Sequence, residues 1–363
     1  MTVLKKTTCF LFAGLMLFGL IGCKQSRQGE LTEPLATDVP SQELSVSSDG
    51  TDPEISPDSF SAPDYSVEPE VRPSDIPIPT RAPIDGDITT KFPNYDTGSD
   101  ADYSYQSDEL RIAIRTYNDA DIRQVYYVAD IWVRNIHSFR TGFGRGEFNT
   151  GTEDVEAFAV REHAVFGVNG SYNQGLVIHN GEQKKNVDKD SEKHRGVAVL
   201  YADGTMKVFN LNKDKFNLDA EKAKGIVHAW QFGPALIQDG EICQKFASYG
   251  TKHPRLILGY YEPGHYVVVA VDGRSKTSVG MSSSEMAELM KALGCKEAMN
   301  LDGGTSAVMT FMGKVISNPS GEDKDGDGRA GRNLKDMILF AEYDSEGNAP
   351  ALSDLPSEKY KVK

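Results

Sequence analysis

The sequence predicts an α+β or mixed α/β fold: a single domain with a strand-rich mixed sheet and a few helices, preceded by a disordered tether. Three observations support this prediction. Beyond residue 103, short apolar runs with strand periodicity outnumber helix patterns. Only one amphipathic helix is clear there, and polar turn residues separate the runs. The first hundred residues differ in composition and are rich in proline and acidic residues.

The first segment, 1–22, is organised like an export signal. Two lysines precede an apolar run from Cys9 to Leu20, which is too short for a stable membrane-spanning helix. The run ends in Leu20-Ile-Gly-Cys23, which resembles the lipobox of bacterial lipoproteins. We therefore expect cleavage before Cys23, lipidation of its thiol, and an extracytoplasmic protein anchored to a bacterial membrane. An ordinary signal peptide with a chance cysteine is the alternative.

Residues 23–102 carry most of the acidity of the chain. Between Gln28 and Asp100 there are sixteen Asp and Glu but only three Lys and Arg, a net charge of −13 out of −14 for the whole chain. The stretch also holds eleven of the seventeen prolines, so it cannot bury enough apolar surface to fold. We expect a disordered tether, either a spacer through a cell wall or a plain linker. The remaining domain is near neutral and gives no electrostatic reason to bind nucleic acid.

The folded domain is expected over residues 103–345, which is long enough for one large core. Alternating or continuous apolar runs predict its strands, and tight turns join some of them into hairpins. The predicted strands are Arg111–Arg115, Val125–Arg134, His163–Asn169, Gly196–Tyr201 with Thr205–Phe209, Leu256–Tyr260 with Tyr266–Val271, Glu297–Leu301, Ala307–Phe311, Lys314–Ser317 and Asp336–Tyr343.

One helix is clear between two of these strands. Ser282 and Glu285 fit a capping box, the apolar residues of Met286–Leu293 fall on one helical face, and Gly294 ends the helix. We expect the apolar face to pack in the core. The polar tail, 346–363, is expected to fray.

Two cysteines, Cys243 and Cys295, remain in the folded part. Two cysteines do not form a disulfide scaffold, and we expect buried free thiols, although an exported protein could form one bridge. No Cys-His spacing resembles a zinc site.

The densest polar cluster stands at the end of a predicted strand and reads Asn300-Leu-Asp-Gly-Gly-Thr-Ser306. Asp302 brings a carboxylate to the strand end, where open sheets often place ligands. Gly303 and Gly304 allow a tight turn and a close approach of ligand to main chain, and Ser306 adds a hydroxyl. A β-turn with solvated polar residues is the alternative interpretation.

Other polar clusters also stand at strand ends. Asp272-Gly-Arg274 offers a second carboxylate and a guanidinium, and Pro254-Arg255 offers another guanidinium suited to phosphate. Asn169-Gly-Ser-Tyr172 and Phe232-Gly-Pro234 are the remaining two. Each is weak evidence alone, because a lone arginine usually forms a surface ion pair and a lone Asn-Gly is usually a turn.

These residues, in this order, resemble the phosphodiester glycosidase family over roughly Arg111 to Tyr343. The most specific part is Val271-Asp-Gly-Arg274, Gly280, the following helix, Asn300-Leu-Asp-Gly-Gly304 and Ser306. The resemblance implies cleavage of a sugar-1-phosphodiester, such as an N-acetylglucosamine-1-phosphodiester, into free sugar and a phosphomonoester. We expect that no cofactor is required. It further implies that the site is lined by Asn169, Arg255, Asp272, Asn300, Asp302, Gly303 and Gly304.

The sequence departs from bacterial members of the family after Asn318-Pro-Ser320, where an acidic loop precedes Arg332. Asp323, Asp325 and Asp327 imitate the start of a calcium-binding loop, but the glutamate expected at position twelve is missing. We expect an acidic surface loop, with weak Ca²⁺ binding as the alternative. The insertion leaves the role of Arg332 open.

The expected chemistry needs only modest acid assistance, because a phosphomonoester leaves as a stable anion. We expect Arg255, and with it Arg274, to bind the phosphate. We expect Asp302 or Asp272 to act as base or nucleophile at the anomeric carbon. The sequence does not give the separation of the two carboxylates, on which retention or inversion depends.

Hydrogen bonds to sugar hydroxyls are expected from Asn169 and Asn300. Two other function classes stay open: a metal-assisted phosphodiesterase that breaks a P–O bond, and a non-catalytic domain that binds cell-wall polymers or exopolysaccharide. The expected partners are a phosphodiester-linked glycan and, through the lipid, the membrane. The sequence gives no indication of the oligomeric state.

Overall fold

The computed structural model describes residues 87–246, 250–321, 332–343 and 349–363. The predicted signal peptide, Cys23 and the tether up to residue 86 lie outside the described residues, as do the calcium-loop candidates Asp323, Asp325 and Asp327. Within the described ranges, no helix is both long enough and apolar enough to cross a membrane.

The described residues form nineteen strands and three α-helices. The strands are β1 (Tyr103–Gln106), β2 (Leu110–Asp119), β3 (Gln124–Val133), β4 (Phe139–Phe143), β5 (Phe166–Asn169), β6 (Val177–His179), β7 (Glu182–Lys185), β8 (Gly196–Tyr201), β9 (Met206–Asn210), β10 (Ile226–Phe232), β11 (Ala235–Gln238), β12 (Glu241–Ile242), β13 (Arg255–Glu262), β14 (His265–Val271), β15 (Glu297–Asn300), β16 (Met309–Phe311), β17 (Lys314–Val315), β18 (Asp336–Phe340) and β19 (Tyr360–Lys361). The helices are α1 (Val155–Arg161), α2 (Leu218–Lys222) and α3 (Ser283–Ala292).

The strands form three sheets, and the pairings described in them are antiparallel. The largest sheet has nine strands in the order β12-β11-β15-β13-β14-β3-β2-β1-β19. The two five-stranded sheets have the orders β7-β6-β10-β8-β9 and β17-β16-β5-β18-β4. The described residues are rich in strands and contain few helices, which confirms the predicted fold class, in its α+β form.

The central strands β13, β14 and β15 of the nine-stranded sheet are buried on both faces. Successive residues of β13 point to opposite sides, so Leu256 and Leu258 join the main core while Ile257 lies on the side of α3. Helix α3 covers that side with Met286 and Met290, which are fully buried. Each such side chain contributes about 1.5–3 kcal/mol through burial. The central strands are therefore held on both faces, which fixes the positions of the polar loops at their ends.

Helix α3 begins and ends as the sequence predicts. The Ser282 hydroxyl accepts the N–H of Glu285 at 3.3 Å, and the Glu285 carboxylate accepts the N–H of Ser282 at 2.8 Å. The capping box is thus confirmed. Gly294, which follows the helix, has a φ of +83°, a conformation that glycine adopts without steric cost.

The predicted strands are present, but the sequence patterns missed several elements, among them β10 and helices α1 and α2. Strand β10 carries His228 and Gln231, which are 1% and 0% exposed. Buried polar residues break the apolar pattern on which strand prediction depends. Helix α1 spans only seven residues, which is too short for a clear helical period.

The folded region extends beyond both ends of the predicted domain, 103–345. Ile88 is buried, and its N–H donates to the carbonyl oxygen of Arg134 at 2.8 Å. From the predicted polar tail, β19 pairs with β1, and Leu352 and Tyr360 pack against the main core. These apolar side chains order a part of the tail that was expected to fray.

Cys243 and Cys295 are free thiols, as expected, but only Cys295 is buried, whereas Cys243 is partly exposed. The Cys243 thiol donates to the carbonyl oxygen of Ala235 at 3.1 Å. Burial raises the pKa of Cys295 to about 12 and also raises that of Cys243. Both thiols are therefore protonated at neutral pH and poorly nucleophilic.

Candidate active site

The loops that follow β14 and β15 pass on either side of Pro254, at the start of β13. A Cβ atom on Gly273 would lie 2.7 Å from the Pro254 nitrogen, and one on Gly303 would lie 2.7 Å from the Pro254 carbonyl oxygen. Only glycine allows so close an approach of two backbones. This packing brings the clusters of Arg255, Asp272 and Asp302 together at one end of the inner strands β13, β14 and β15.

Asn169, at the end of β5, fastens the Asp302 loop to a second sheet. Its side chain is 2% exposed, Nδ2 donates to the carbonyl oxygen of Asp302 at 2.7 Å, and Oδ1 accepts the N–H of Val308 at 3.1 Å. Both the nitrogen and the oxygen of the Asn169 amide are therefore hydrogen-bonded to backbone groups. The geometry favours a positioning role for Asn169 over the predicted contact with a sugar.

Asp302 presents an oriented carboxylate. Its Oδ2 accepts a hydrogen bond from Nη2 of Arg332 at 2.8 Å, and its side chain is 15% exposed. Arg332 also donates from Nε to the Ser306 hydroxyl at 2.6 Å, and its guanidinium lies 4.2 Å from the centre of the Tyr172 ring. Arg332, whose role the sequence leaves open, is therefore the residue that orients Asp302. Within the described residues, Oδ1 of Asp302 has no hydrogen-bond partner.

Asp336, the first residue of β18, supports the loop that follows Asn169. Its carboxylate accepts the N–H of Ser171 at 2.7 Å and the N–H of Tyr172 at 2.8 Å. A Cβ on Gly170 would lie 2.3 Å from the carboxylate, so this loop requires glycine. Burial, with a smaller contribution from the nearby charge of Asp302, raises the pKa of Asp336 to about 6. The sequence analysis missed this role of Asp336.

Arg255 and Arg274 form a positive region with no carboxylate partner among the described residues. Arg255 donates from Nε to the carbonyl oxygen of Met281 at 3.0 Å and from Nη2 to that of Thr251 at 3.2 Å. Burial, followed by repulsion from Arg274, lowers the pKa of Arg255. Arg274 is exposed, and a Cβ on Gly304 would lie 3.2 Å from its Nη2. The two guanidinium groups are suited to bind one phosphate next to the Gly304 loop.

Two histidines near this region were missed by the sequence analysis. His253 directly precedes the Pro254-Arg255 pair, and burial together with the positive charge of Arg255 lowers its pKa. The His194 ring stacks on Phe232 with centroids 4.4 Å apart. Burial lowers the pKa of His194, and the negative charge of Asp302 partly opposes that effect. Both imidazoles are therefore mainly neutral at pH 7 and able to accept a proton.

The second predicted catalytic carboxylate, Asp272, is enclosed by protein groups. It is 6% exposed, Oδ2 accepts the Tyr127 hydroxyl at 3.2 Å, and Oδ1 accepts the N–H of Asn318 at 3.0 Å. Burial raises the pKa of Asp272 to about 6. Because both oxygens have partners inside the protein, the geometry favours Asp272 as an anchor for the Asn318 loop.

Asn300 connects this end of the strands to the loop between β10 and β11. Its Nδ2 donates to the carbonyl oxygen of Gly233 at 2.8 Å, and its Oδ1 is buried without a partner among the described residues. The contacts given above connect the predicted site residues into one region: Asn169, Arg255, Asp272, Arg274, Asn300, Asp302, Gly303, Gly304 and Ser306. Over the described ranges, no group of three or more His, Cys, Asp or Glu side chains is placed to hold a metal ion.

Comparison with known proteins defines the class to which this fold and site belong. Residues 155–341 match the family described as phosphodiester glycosidase. The match covers more than half of the chain, and the chain belongs to the phosphodiester glycosidase family.

Two relatives show how far the similarity extends. The chain is 33% identical over 181 residues to the SPbeta prophage-derived uncharacterized protein YomE of Bacillus subtilis (strain 168), across 47% of this chain and only 28% of that protein. Its fold resembles the catalytic domain of zebrafish N-acetylglucosamine-1-phosphodiester alpha-N-acetylglucosaminidase, auto-inhibited by its pro-peptide. That likeness has a TM-score of 0.51 and 20% identity, and it covers 67% of this chain and 89% of the zebrafish chain. At 20% identity, this likeness shows that the two proteins share a fold and nothing more.

Proposed function

We propose that the domain hydrolyses a sugar-1-phosphodiester, of the N-acetylglucosamine-1-phosphodiester type, into free sugar and a phosphomonoester. One observation carries the proposal: the oriented carboxylate of Asp302 stands in the same region as two guanidinium groups, Arg255 and Arg274, that lack a carboxylate partner among the described residues. A carboxylate stabilises positive charge at an anomeric carbon, and paired guanidiniums bind phosphate. Membership of the phosphodiester glycosidase family supports the same reaction class.

The arginine pair binds the phosphate and stabilises it as it leaves. Arg274 lies against Gly304, two residues from Asp302, so a phosphate on Arg274 is close to the carboxylate. The bond between the anomeric carbon and the phosphate oxygen breaks, and its electron pair leaves with the phosphate. Because a phosphomonoester is a stable anion, two positive groups supply most of the help that the leaving group needs.

Asp302 faces the anomeric carbon and stabilises the positive charge that develops there. Arg332 holds this carboxylate in one orientation. Water adds to the anomeric carbon and gives its proton to a base, for which we propose the neutral imidazole of His194, on which the charge of Asp302 acts. Asp272 holds the neighbouring loop through Tyr127 and Asn318.

The place of action is a second part of the proposal. Export and a lipid on Cys23 would hold the enzyme outside the cytoplasm, where phosphodiester-linked sugars of wall polymers, capsule or host glycans are available. The expected result is that the full chain partitions with membranes and incorporates labelled fatty acid. Cys23→Ser would then be found in the soluble fraction without label, and membrane retention of an unlabelled variant would contradict the lipid anchor.

An isotope experiment tests the reaction itself. The full chain is incubated with an α-N-acetylglucosamine-1-phosphodiester in heavy-oxygen water, with and without chelator. We expect the label in the released sugar and no effect of the chelator. Label in the phosphate would instead show P–O cleavage by a phosphodiesterase, and saccharide binding without any product would show a surface-binding domain.

Matched variants connect that activity to the site. Asp302→Asn removes the proposed carboxylate, whereas Asp121→Asn changes an exposed aspartate in the turn between β2 and β3. We expect turnover to be lost only in the first. Equal activity in the two variants would exclude Asp302 as the reacting carboxylate.

A further inference from the structure

The loop between β5 and β6 gathers two lysine side chains that the reaction proposed above does not use. The Lys335 ammonium lies 4.5 Å from the centre of the Tyr172 ring. The Lys185 ammonium donates to the carbonyl oxygen of Asn173, the next residue of the loop, at 2.9 Å. We call these four residues, Tyr172, Asn173, Lys185 and Lys335, the β5–β6 cluster.

The cluster offers positive charge to a ligand. Lys185 is exposed, Lys335 is half-buried, and neither ammonium has a carboxylate partner among the described residues. The carboxylate under this loop, Asp336, is 3% exposed and accepts the N–H groups of Ser171 and Tyr172. Contact with a ring face or a carbonyl oxygen leaves the charge of an ammonium uncompensated, so both lysines are able to bind an anion.

The Tyr172 ring connects the cluster to the reacting carboxylate. Arg332 lies over the same ring at 4.2 Å and donates to Oδ2 of Asp302 at 2.8 Å. The charge of Arg332 is therefore matched by Asp302, whereas that of Lys335 is not. The third and second sheets supply the two lysines, because Lys335 directly precedes β18 and Lys185 ends β7.

The surroundings of His194 also place the cluster near Asp302. Burial is the main cause that lowers the pKa of His194, the charge of Asp302 raises it, and the charge of Lys185 lowers it further. Both Asp302 and Lys185 are thus close enough to act on one imidazole. The arginines of the phosphate region, Arg255 and Arg274, belong to different loops, at the ends of β13 and β14.

Asn173 gives an independent indication of a ligand. Its side chain is 4% exposed, and neither Nδ2 nor Oδ1 has a hydrogen-bond partner among the described residues. Buried polar groups are nearly always hydrogen-bonded, so this amide has donor and acceptor capacity left for a bound group. An amide donor beside two ammonium groups suits an anion.

We propose that the β5–β6 cluster is a second anion site, which binds a phosphate or carboxylate group of the same glycan whose phosphodiester is cleaved. This inference rests on the proposed function, because it takes Asp302 as the carboxylate at the anomeric carbon. The cluster adjoins Asp302 through Arg332, so the second anion belongs to the released sugar or to the residue joined to it. The substrate class is therefore an acidic glycan.

The test uses three substrates that share the methyl ester of α-N-acetylglucosamine 1-phosphate and carry an outer sugar on the N-acetylglucosamine. The outer sugar is glucose, glucose 6-phosphate or glucuronate. Each substrate is assayed with the wild-type full chain, Lys335→Met, Lys185→Met and the double variant. The matched control is Lys291→Met, which removes an exposed lysine on α3.

The measured quantity is the ratio of kcat/KM for a charged substrate to kcat/KM for the neutral one. We expect a wild-type ratio of about ten, a decrease of about threefold in each lysine variant and a ratio near one in the double variant, as for two partly exposed ion pairs. High salt should lower the wild-type ratio through screening, which a merely structural role of the lysines does not predict. Lys291→Met should keep the wild-type ratio.

A ratio that is high only for glucose 6-phosphate assigns the site to phosphate, and one that is high only for glucuronate assigns it to carboxylate. Equal kcat/KM for all three substrates in the wild type, or a ratio that the double variant leaves unchanged, would overturn the second anion site. The hydrolase proposal would stand in either case, because sugar is still released. Failure to release sugar from any of the three substrates would overturn both.

Discussion

Replacement of Asp302 by asparagine separates the catalytic use of this side chain from its structural use. The change preserves shape but removes the charge that faces Arg332 at 2.8 Å. The side chains of the pair are 15% and 39% exposed, so solvent screens the interaction and its loss should cost about 1 kcal/mol of stability. For a domain of this size, that corresponds to a decrease in Tm of roughly 2–4 °C.

The expected effect on turnover is much larger. Loss of a group that stabilises charge or transfers a proton in the transition state lowers kcat by about 10²–10⁴, or roughly 3–5.5 kcal/mol of activation free energy. We therefore expect a folded variant with a nearly unchanged Tm and almost no sugar release. Release of N-acetylglucosamine and thermal unfolding measured on one preparation give both quantities.

Arg332→Gln serves as the companion variant, because it breaks the same ion pair from the other side. It should lower Tm by a similar amount but leave more activity, since the Asp302 carboxylate remains. Near-normal turnover in Asp302→Asn would refute the assignment. So would a decrease in Tm large enough to account for the lost activity by unfolding.

Three further predictions follow from the geometry. Burial raises the folded-state pKa of Asp272 from 3.8 to about 6, so its contribution of roughly 3 kcal/mol to the free energy of unfolding is present below pH ~4 and is lost as pH rises through about 6. In Asp272→Asn, the free energy of unfolding measured in urea titrations should therefore depend less on pH between these values, and an unchanged slope would contradict the burial argument. Gly304→Ala adds a Cβ at a φ of +63° and 3.2 Å from Arg274, so KM should rise together with a stability loss of about 1–2 kcal/mol; Gly240→Ala, where nothing lies within 4 Å of the Cβ, should show the stability loss alone. His194→Gln should lower kcat about 10²-fold and remove the acidic limb of its pH profile, and a limb that persists would assign that titration to another group.

The sequence located the candidate site because its glycines and polar residues follow predicted strands. Strand ends are local features, and the antiparallel order of β13, β14 and β15 then places the loops of Arg255, Asp272 and Asp302 beside one another. The same logic explains why the helix cap at Ser282 was predictable. A capping box involves residues three positions apart, and no tertiary information is needed to recognise it.

The partners of the site residues were not predictable in this way. Asp336 binds the N–H groups of Ser171 and Tyr172, which lie more than 160 positions earlier in the chain. Asp272 likewise finds its partners in Tyr127 and Asn318, far from it in sequence. A carboxylate has the same sequence signature whether it faces a substrate or holds a loop, so only tertiary contacts favour Asp302 over Asp272 as the reacting group.

The pairing of β19 with β1 has a practical consequence for protein production. Ser104 and Lys361 face each other in this ladder, so the last strand covers the outer edge of the nine-stranded sheet. A chain shortened to end at Tyr343 would leave the backbone groups of β1 open to strands of other molecules, and exposed edges promote aggregation. Recombinant protein for assays should therefore retain the residues through Lys363, and poor solubility of a shortened chain would reflect an uncovered sheet edge.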